Sequence, residues 1–498
     1  MLDATTAFIV DLFILLAAAV LAGEIAVQLG QAALVGQLLV GVALGPTLLG
    51  PFLGLNQLPA GLGALQTLAV IFVLFLAGLD IVPEQVYGMG LGNLGLGLAV
   101  FLVPFTVGSF VVGPVVGIPY PTSLYVALAL SITALPVMGI LLAEFRLTHT
   151  KIGQLLLNAA LINEFAAVSV FAVLLRLGGS TSQGAVGIAI AGLSLALFVS
   201  AMLSIHQGLK LLREARLWSG LTRAFQKTWR SKQGNFALLM VLVVGATLFS
   251  QFLGLTYVVG AFYAGLLVTR ESAGREAHHS ISQVFDAMSW GFFIPLFFAF
   301  VGISMNLRLL DTAASVAAFG VLLVVAAVTK IVTGAAGARL LGWKPADALA
   351  IGHFVNSRGA VELAMAVILL QSGLIDIRIF TLIAGVGLVT TILSPIGAIR
   401  SWLSDPESRD ALYRRIPTMR PGPSHRRMRF EPPGLLDWAK VDAEWPADPH
   451  APEPSTTLIR PIEPTPTPQP IDEPSSQASG AAGSPPTPPL PKRSKPPT

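Results

Sequence analysis

The chain has no cysteine among its 498 residues. That excludes disulfides, thiolate metal sites and cysteine nucleophiles. Charge is scarce too. Asp, Glu, Lys and Arg make up 12% of residues, against about 25% in a typical soluble domain. The opening MLDATTAFIVDLF has Asp3 but no Lys or Arg. A secretory leader would start with positive charge, so the first apolar run is expected to remain as a helix. No constellation of nucleophile, metal ligands or cofactor-binding residues is present, so neither an enzyme nor a cofactor is expected. The pattern Gly90-Leu-Gly92-Asn-Leu-Gly95 sits in an apolar run, not between a strand and a helix, and is no dinucleotide fingerprint.

What is abundant is apolar. Hydrophobic residues are 54% of the chain. A bilayer core of about 30 Å is crossed by about 20 apolar residues in a helix. Such runs recur at 6–23, 32–51, 64–83, 91–117, 122–144, 152–178, 184–206, 235–253, 255–271, 285–305, 312–340, 345–371 and 376–400. The 49 glycines suit helices that pack closely in lipid. The expected fold is an all-α polytopic membrane protein with about 13 transmembrane helices. Residues 1–206 and 234–400 form two membrane halves, 207–233 a basic linker, and 401–498 a tail.

The net charge of +4 gathers beside apolar runs, so no nucleic-acid partner is expected. Arg146, Lys151, Lys344, Arg409, Arg414 and the basic residues of 207–233 fall on one side under this count. The other side holds little beyond Arg176, Arg308 and Arg378. The positive-inside rule puts the N-terminus outside and the C-terminus in the cytoplasm, in a cell inner membrane. Trp218, Leu221, Phe225 and Trp229 recur at near-helical spacing in the linker, which suits a helix on the anionic leaflet. Residues 432–498 hold 19 of the 35 prolines. That composition is expected to be disordered or polyproline II, with a weak protein partner for PPTPPLPKR as one reading.

Charge at bilayer depth is costly and usually faces an interior path or a partner. The candidates are Asp11, Glu164, Lys330, His353, Arg358 and Glu362. A buried carboxylate can hold a proton or a bare cation but not both fully, which couples two fluxes. Glu164, in LLLNAALINEFAAVS, suits that role, with the Asn163 amide beside it. Two spans are interrupted at mid-length. SITALPVMG carries Ser131, Thr133 and Pro136; HFVNSRGAVE carries Asn356, Arg358 and Glu362. Broken helices in matching positions of two halves point to a transporter's binding site. Arg358 and Glu362, at i and i+4, suit a structural pair. Asp11 and His353 read as satisfied polar positions.

VGQLLVGVALGPTLLG, SITALPVMGILLAEF, the NE-bearing span, and NSRGAVELAMA followed by VTTILSP stand in the order found in the cation:proton antiporter-2 family. Over roughly residues 6–400 the chain resembles that family. The resemblance implies a homodimer with inverted repeats and two crossed broken helices. It implies an ion site at the acidic residue of the 152–178 span, with Lys330 as the membrane lysine near it. Family members commonly show Asp-Asp or Asn-Asp where this chain has Asn163-Glu164. The C-terminal nucleotide-binding domain of Kef-type members has no counterpart in the Pro-rich tail.

The expected activity is antiport of a monovalent cation against protons in a lipid bilayer. Glu164 binds sodium or potassium, with Asn163, Thr133 and Ser131 beside it and Lys330 as its charge partner. Arg358, Glu362, Asn356 and Pro136 are structural or gating residues. A cation channel and a non-transporting sensor or scaffold are the other classes left open.

Overall fold

The computed structural model describes residues 3–29, 31–53, 60–79, 90–148, 150–179, 185–214, 232–268 and 283–415. In hydrocarbon the backbone has no water to bond, so a spanning segment satisfies its polar groups internally as a helix. Every regular element among the described residues is helical. The first half contains α1 (Ala4–Gln28), α2 (Ala33–Leu44), the short α3 (Gly50–Leu53), α4 (Ala60–Leu79) and α5 (Leu91–Val116). It continues with α6 (Tyr120–Ser131), α7 (Leu135–Glu144), α8 (Lys151–Gly179) and α9 (Ala185–Glu214). The second half contains α10 (Lys232–Phe252), α11 (Tyr257–Leu267), α12 (Ile294–Ser304), α13 (Ala313–Leu340), α14 (Pro345–Val355), α15 (Ala360–Gln371) and α16 (Ile377–Leu403). A last helix, α17 (Pro406–Arg415), follows.

Ten helices among the described residues are long and apolar enough to cross a membrane; Ala33–Leu44, Leu239–Phe252 and Tyr257–Leu267 are shorter apolar helices. Polar side chains start several of them. Asp376 accepts the Ile379 N–H at 2.8 Å, and Thr312 that of Ser315 at 3.1 Å. The helix entering α12 carries one π turn, Ser289–Phe293. Helix α9 runs on through Glu214, into the segment read as a linker. The interfacial helix expected around Trp218–Trp229 and the Pro-rich tail lie outside the described residues.

The helices pack in two groups. Helix α5, the broken pair α6/α7, α8, α13, the broken pair α14/α15 and α16 pack on one another. Helices α1, α2, α4, α10, α11 and α12 form the other group. In the second group glycine sets the spacing. A Cβ on Gly41 of α2 would lie 2.9 Å from the Cα of Gly302 on α12. Two helices in lipid gain dispersion contacts by approaching this closely, and only small residues allow it.

The turn after α7, the turn before α14 and the segment after α16 share one face. Phe145 after α7 and Trp402 near the end of α16 have ring centroids 6.2 Å apart. Trp402 donates to Asp347 at 3.0 Å. Lys344 pairs with Glu407 at 2.5 Å, and its hydrogen bond to that carboxylate holds the ammonium above its usual pKa range.

Candidate functional site

The site grows from one missing hydrogen bond. Proline has no N–H, and its ring excludes the carbonyl four residues back. Pro136 therefore leaves the Ile132 carbonyl unused and starts a new helix as one of its first residues. Between α6 and α7 the chain is extended, with Ile132 at φ −77°, ψ 141°. The second break, Asn356–Gly359, separates α14 from α15. The breaks meet: Thr133 Oγ1 donates to the Val355 carbonyl at 2.8 Å, and the Ala134 N–H to the Ser357 carbonyl at 3.4 Å. Gly359 permits this approach, since a Cβ there would sit 2.6 Å from Val137 Cγ2 and 2.9 Å from Ala134 Cβ.

A helix end leaves its last carbonyls without partners, and a buried unpaired one costs about 1–3 kcal/mol. At the end of α6 four successive carbonyls are taken by side chains from the second break and from α8 and α13. Arg358 donates to Ala129 at 3.3 Å and Leu130 at 2.5 Å. Asn163 donates to Ser131 at 3.1 Å, and Lys330 to Ile132 at 2.6 Å. The negative end of the α6 dipole thus faces two cations, which suits both. Lys330 also donates to Thr133 Oγ1 at 2.5 Å and to the Val355 carbonyl at 3.4 Å. Its three N–H groups have three acceptors, all at the crossing.

The helix after each broken pair steadies its break. From α8, Asn163 Oδ1 accepts the Thr133 N–H at 2.7 Å. From α16, Thr391 Oγ1 donates to the Arg358 carbonyl at 2.9 Å. The order helix, broken helix, helix recurs as α5, α6/α7, α8 and α13, α14/α15, α16, with α8 packed on both broken helices.

Glu164, Lys330, Arg358 and Glu362 are all buried, as are Ser131, Thr133 and Asn163. Glu164 follows Asn163 on α8, at the depth of the crossing. Arg358 Nη1 pairs with Glu362 Oε1 at 3.0 Å, the expected i, i+4 pair. Asn356 Oδ1 and Ser357 Oγ are buried without a hydrogen-bond partner, leaving them the uncommitted oxygens of the second break. Two candidates lie elsewhere. Asp11 is on α1, which packs on α2 and α12. The His353 ring lies over Gly397 of α16.

Sequence reasoning gave no role to Thr391, although it stands in the VTTILSP run. The available signal was a pair of hydroxyls in the middle of an apolar helix. It also missed the Gln371 Nε2 to Gln66 Oε1 bond of 3.0 Å, which ties the two helix groups together.

The family profile described as "Sodium/hydrogen exchanger, transmembrane" matches residues 13–399. The chain belongs to the transmembrane sodium/hydrogen exchanger family. It is 26% identical over 390 residues to the Na(+)/H(+)-K(+) antiporter GerN of Bacillus cereus, covering 78% of this chain and 94% of that one. It is 29% identical to cation/H(+) antiporter 17 of Arabidopsis thaliana over 390 residues, covering 74% of this chain but 45% of that one. The fold is like that of the solved sodium proton antiporter MjNhaP1 from Methanocaldococcus jannaschii. That match has a TM-score of 0.57 at 18% identity and covers 81% of this chain and 98% of that one.

Proposed function

We propose that this membrane protein exchanges a monovalent cation, sodium or potassium, for protons by competition at Glu164. The observation that carries this is a buried carboxylate next to a crossing of two broken helices that also holds Lys330, Arg358 and Glu362. Glu164 and Glu362 contribute two negative charges, Lys330 and Arg358 two positive. With Glu164 ionised and empty, the four sum to zero. A proton or a monovalent cation at Glu164 then adds the same single charge. The two loaded carriers are electrically equal, so one cation exchanges for one proton and the cycle is electroneutral. Lys330 offsets Glu164 in the empty state. The family relationship supports the reaction class, and the names of GerN and the plant relative include both sodium and potassium or a general cation. The working unit is a homodimer in the inner membrane, with the N-terminus outside.

The test is purified protein in proteoliposomes with an internal pH dye, given sodium, potassium or lithium outside. Proton efflux driven by a cation gradient supports exchange. Cation flux without proton counterflow makes the protein a channel instead. Glu164→Gln should abolish exchange in correctly inserted protein, because a neutral amide neither releases a proton nor balances a cation. Normal exchange in that variant would overturn the assignment.

A further inference from the structure

Glu362 is the buried carboxylate to which this mechanism gives a charge but no proton. Its Oε1 is taken by Arg358 at 3.0 Å. Its Oε2 is fully buried and has no hydrogen-bond partner. Beside the carboxylate is a small recess lined by Leu34 and Leu38 of α2, by Gly359, and by Gly387 and Thr391 of α16. Gly387 keeps that space open: a Cβ there would be 3.7 Å from Oε2. The recess lies at the seam between the two helix groups, since α2 belongs to one and α15 and α16 to the other.

A buried ionised oxygen with nothing to accept from is unfavourable. A proton on Oε2 removes that penalty without breaking a bond already made. A cation would not fit the same place. It needs several hard oxygens, and the recess offers leucines around one carboxylate and one threonine hydroxyl already committed to backbone.

The charged surroundings are few. Arg358 and Lys330 both act on Glu362 electrostatically. Helices α2, α4 and α12 bring no titratable residue; α6 brings only Tyr120 and Tyr125; α16 has Arg378 and Arg400 at its ends; α8 has Glu164, with Lys151 and Arg176 at its ends.

We propose that Glu362 is a second proton-binding site of this protein, distinct from the exchange carboxylate, and that it sets how cation affinity depends on pH. As the medium is acidified a hydronium ion gives its proton to Oε2 and leaves as water, and the carboxylate becomes a neutral acid. Arg358 then loses its counter-charge while still held by the Ala129 and Leu130 carbonyls. With Glu164 ionised and offsetting Lys330, the crossing is left with one net positive charge, which repels an incoming cation through a low dielectric. Acid therefore weakens cation binding twice, by competition at Glu164 and by the loss of charge at Glu362.

The functional half of this proposal rests on Glu164 being the exchange site; the spectroscopic half does not. Sodium KM is measured against pH in proteoliposomes. A single competing proton raises KM by about tenfold per pH unit. The wild type should exceed that slope over part of the range. Glu362→Gln, which fixes the neutral form, should show a high KM already at alkaline pH and a slope of about tenfold per unit. Glu362→Asp should keep the steep slope, moved along the pH axis. A folded Glu362→Gln variant with the wild-type KM and slope overturns the proposal. If that variant does not insert, infrared titration of the Glu164→Gln protein decides the matter. A buried carboxylic-acid carbonyl band should grow as pH falls, and should move when Glu362→Asp is added. No titrating band that depends on residue 362 overturns the proposal, whatever the fate of the Glu164 assignment.

Discussion

Asn163 and Thr133 meet at 2.7 Å, side-chain oxygen to backbone N–H, across the space between α8 and the first break. The same amide donates to the Ser131 carbonyl, so one side chain serves both sides of the interruption. Asn163→Ala would orphan two buried backbone groups, at about 1–3 kcal/mol each. The expected result is a clear drop in thermal stability in detergent, with exchange lost or strongly slowed. Wild-type stability in that variant would mean the break is held by something else.

Pro136 frees the Ile132 carbonyl that Lys330 takes. Pro136→Ala restores an N–H within reach of that carbonyl, and a net backbone hydrogen bond is worth about 0.5–1.5 kcal/mol. The helix should partly close over the break and compete with the lysine. Exchange should fall by several-fold to about tenfold while the protein inserts normally. Initial rates of sodium-driven proton flux read this directly; an unchanged rate contradicts the role given to the freed carbonyl.

Charge balance at the crossing makes a prediction about voltage. If Glu164 alone carries the exchanged charge, clamping proteoliposomes with potassium and valinomycin should leave sodium-driven proton flux unchanged. A steep response to the clamped potential would show a second proton moving in the cycle, with Glu362 and Lys330 as the groups to test, by Glu362→Gln and Lys330→Met.

Orientation can be read with single cysteines, since the native chain has none. Asp311 lies after the 3-10 turn Leu307–Leu310, and Asp405 beside the Lys344–Glu407 face. A cysteine at 311 should react with an impermeant thiol reagent in intact cells, and one at 405 should not. The reverse pattern would invert the topology.

The fold was legible because lipid reduces it to a question of apolar runs and their interruptions. Pro136 and the Asn356–Gly359 run marked both breaks, since each removes or redirects backbone hydrogen bonds locally. The i, i+4 spacing gave the Arg358–Glu362 pair for the same local reason. What the sequence could not supply was reach across helices. That Lys330 ends on the Ile132 carbonyl, 198 positions away, depends on how α13 lies against α6. The Gln66–Gln371 tie and the recess beside Glu362 depend on the seam between helix groups, which no periodicity encodes.

The row of four capped carbonyls at the end of α6 bears on ion preference. Rigid carbonyl cages select by radius, because each oxygen points inward and waits. Here those oxygens already serve an ammonium, a guanidinium and an amide. If a cation binds at Glu164 as proposed, it must share lone pairs with side chains that can shift by rotating a few bonds. A coordination shell built from shared ligands has no fixed diameter. It should discriminate weakly between ions that differ mainly in size, and a single exchange of Lys330 or Asn163 for a shorter side chain should be enough to tilt the preference.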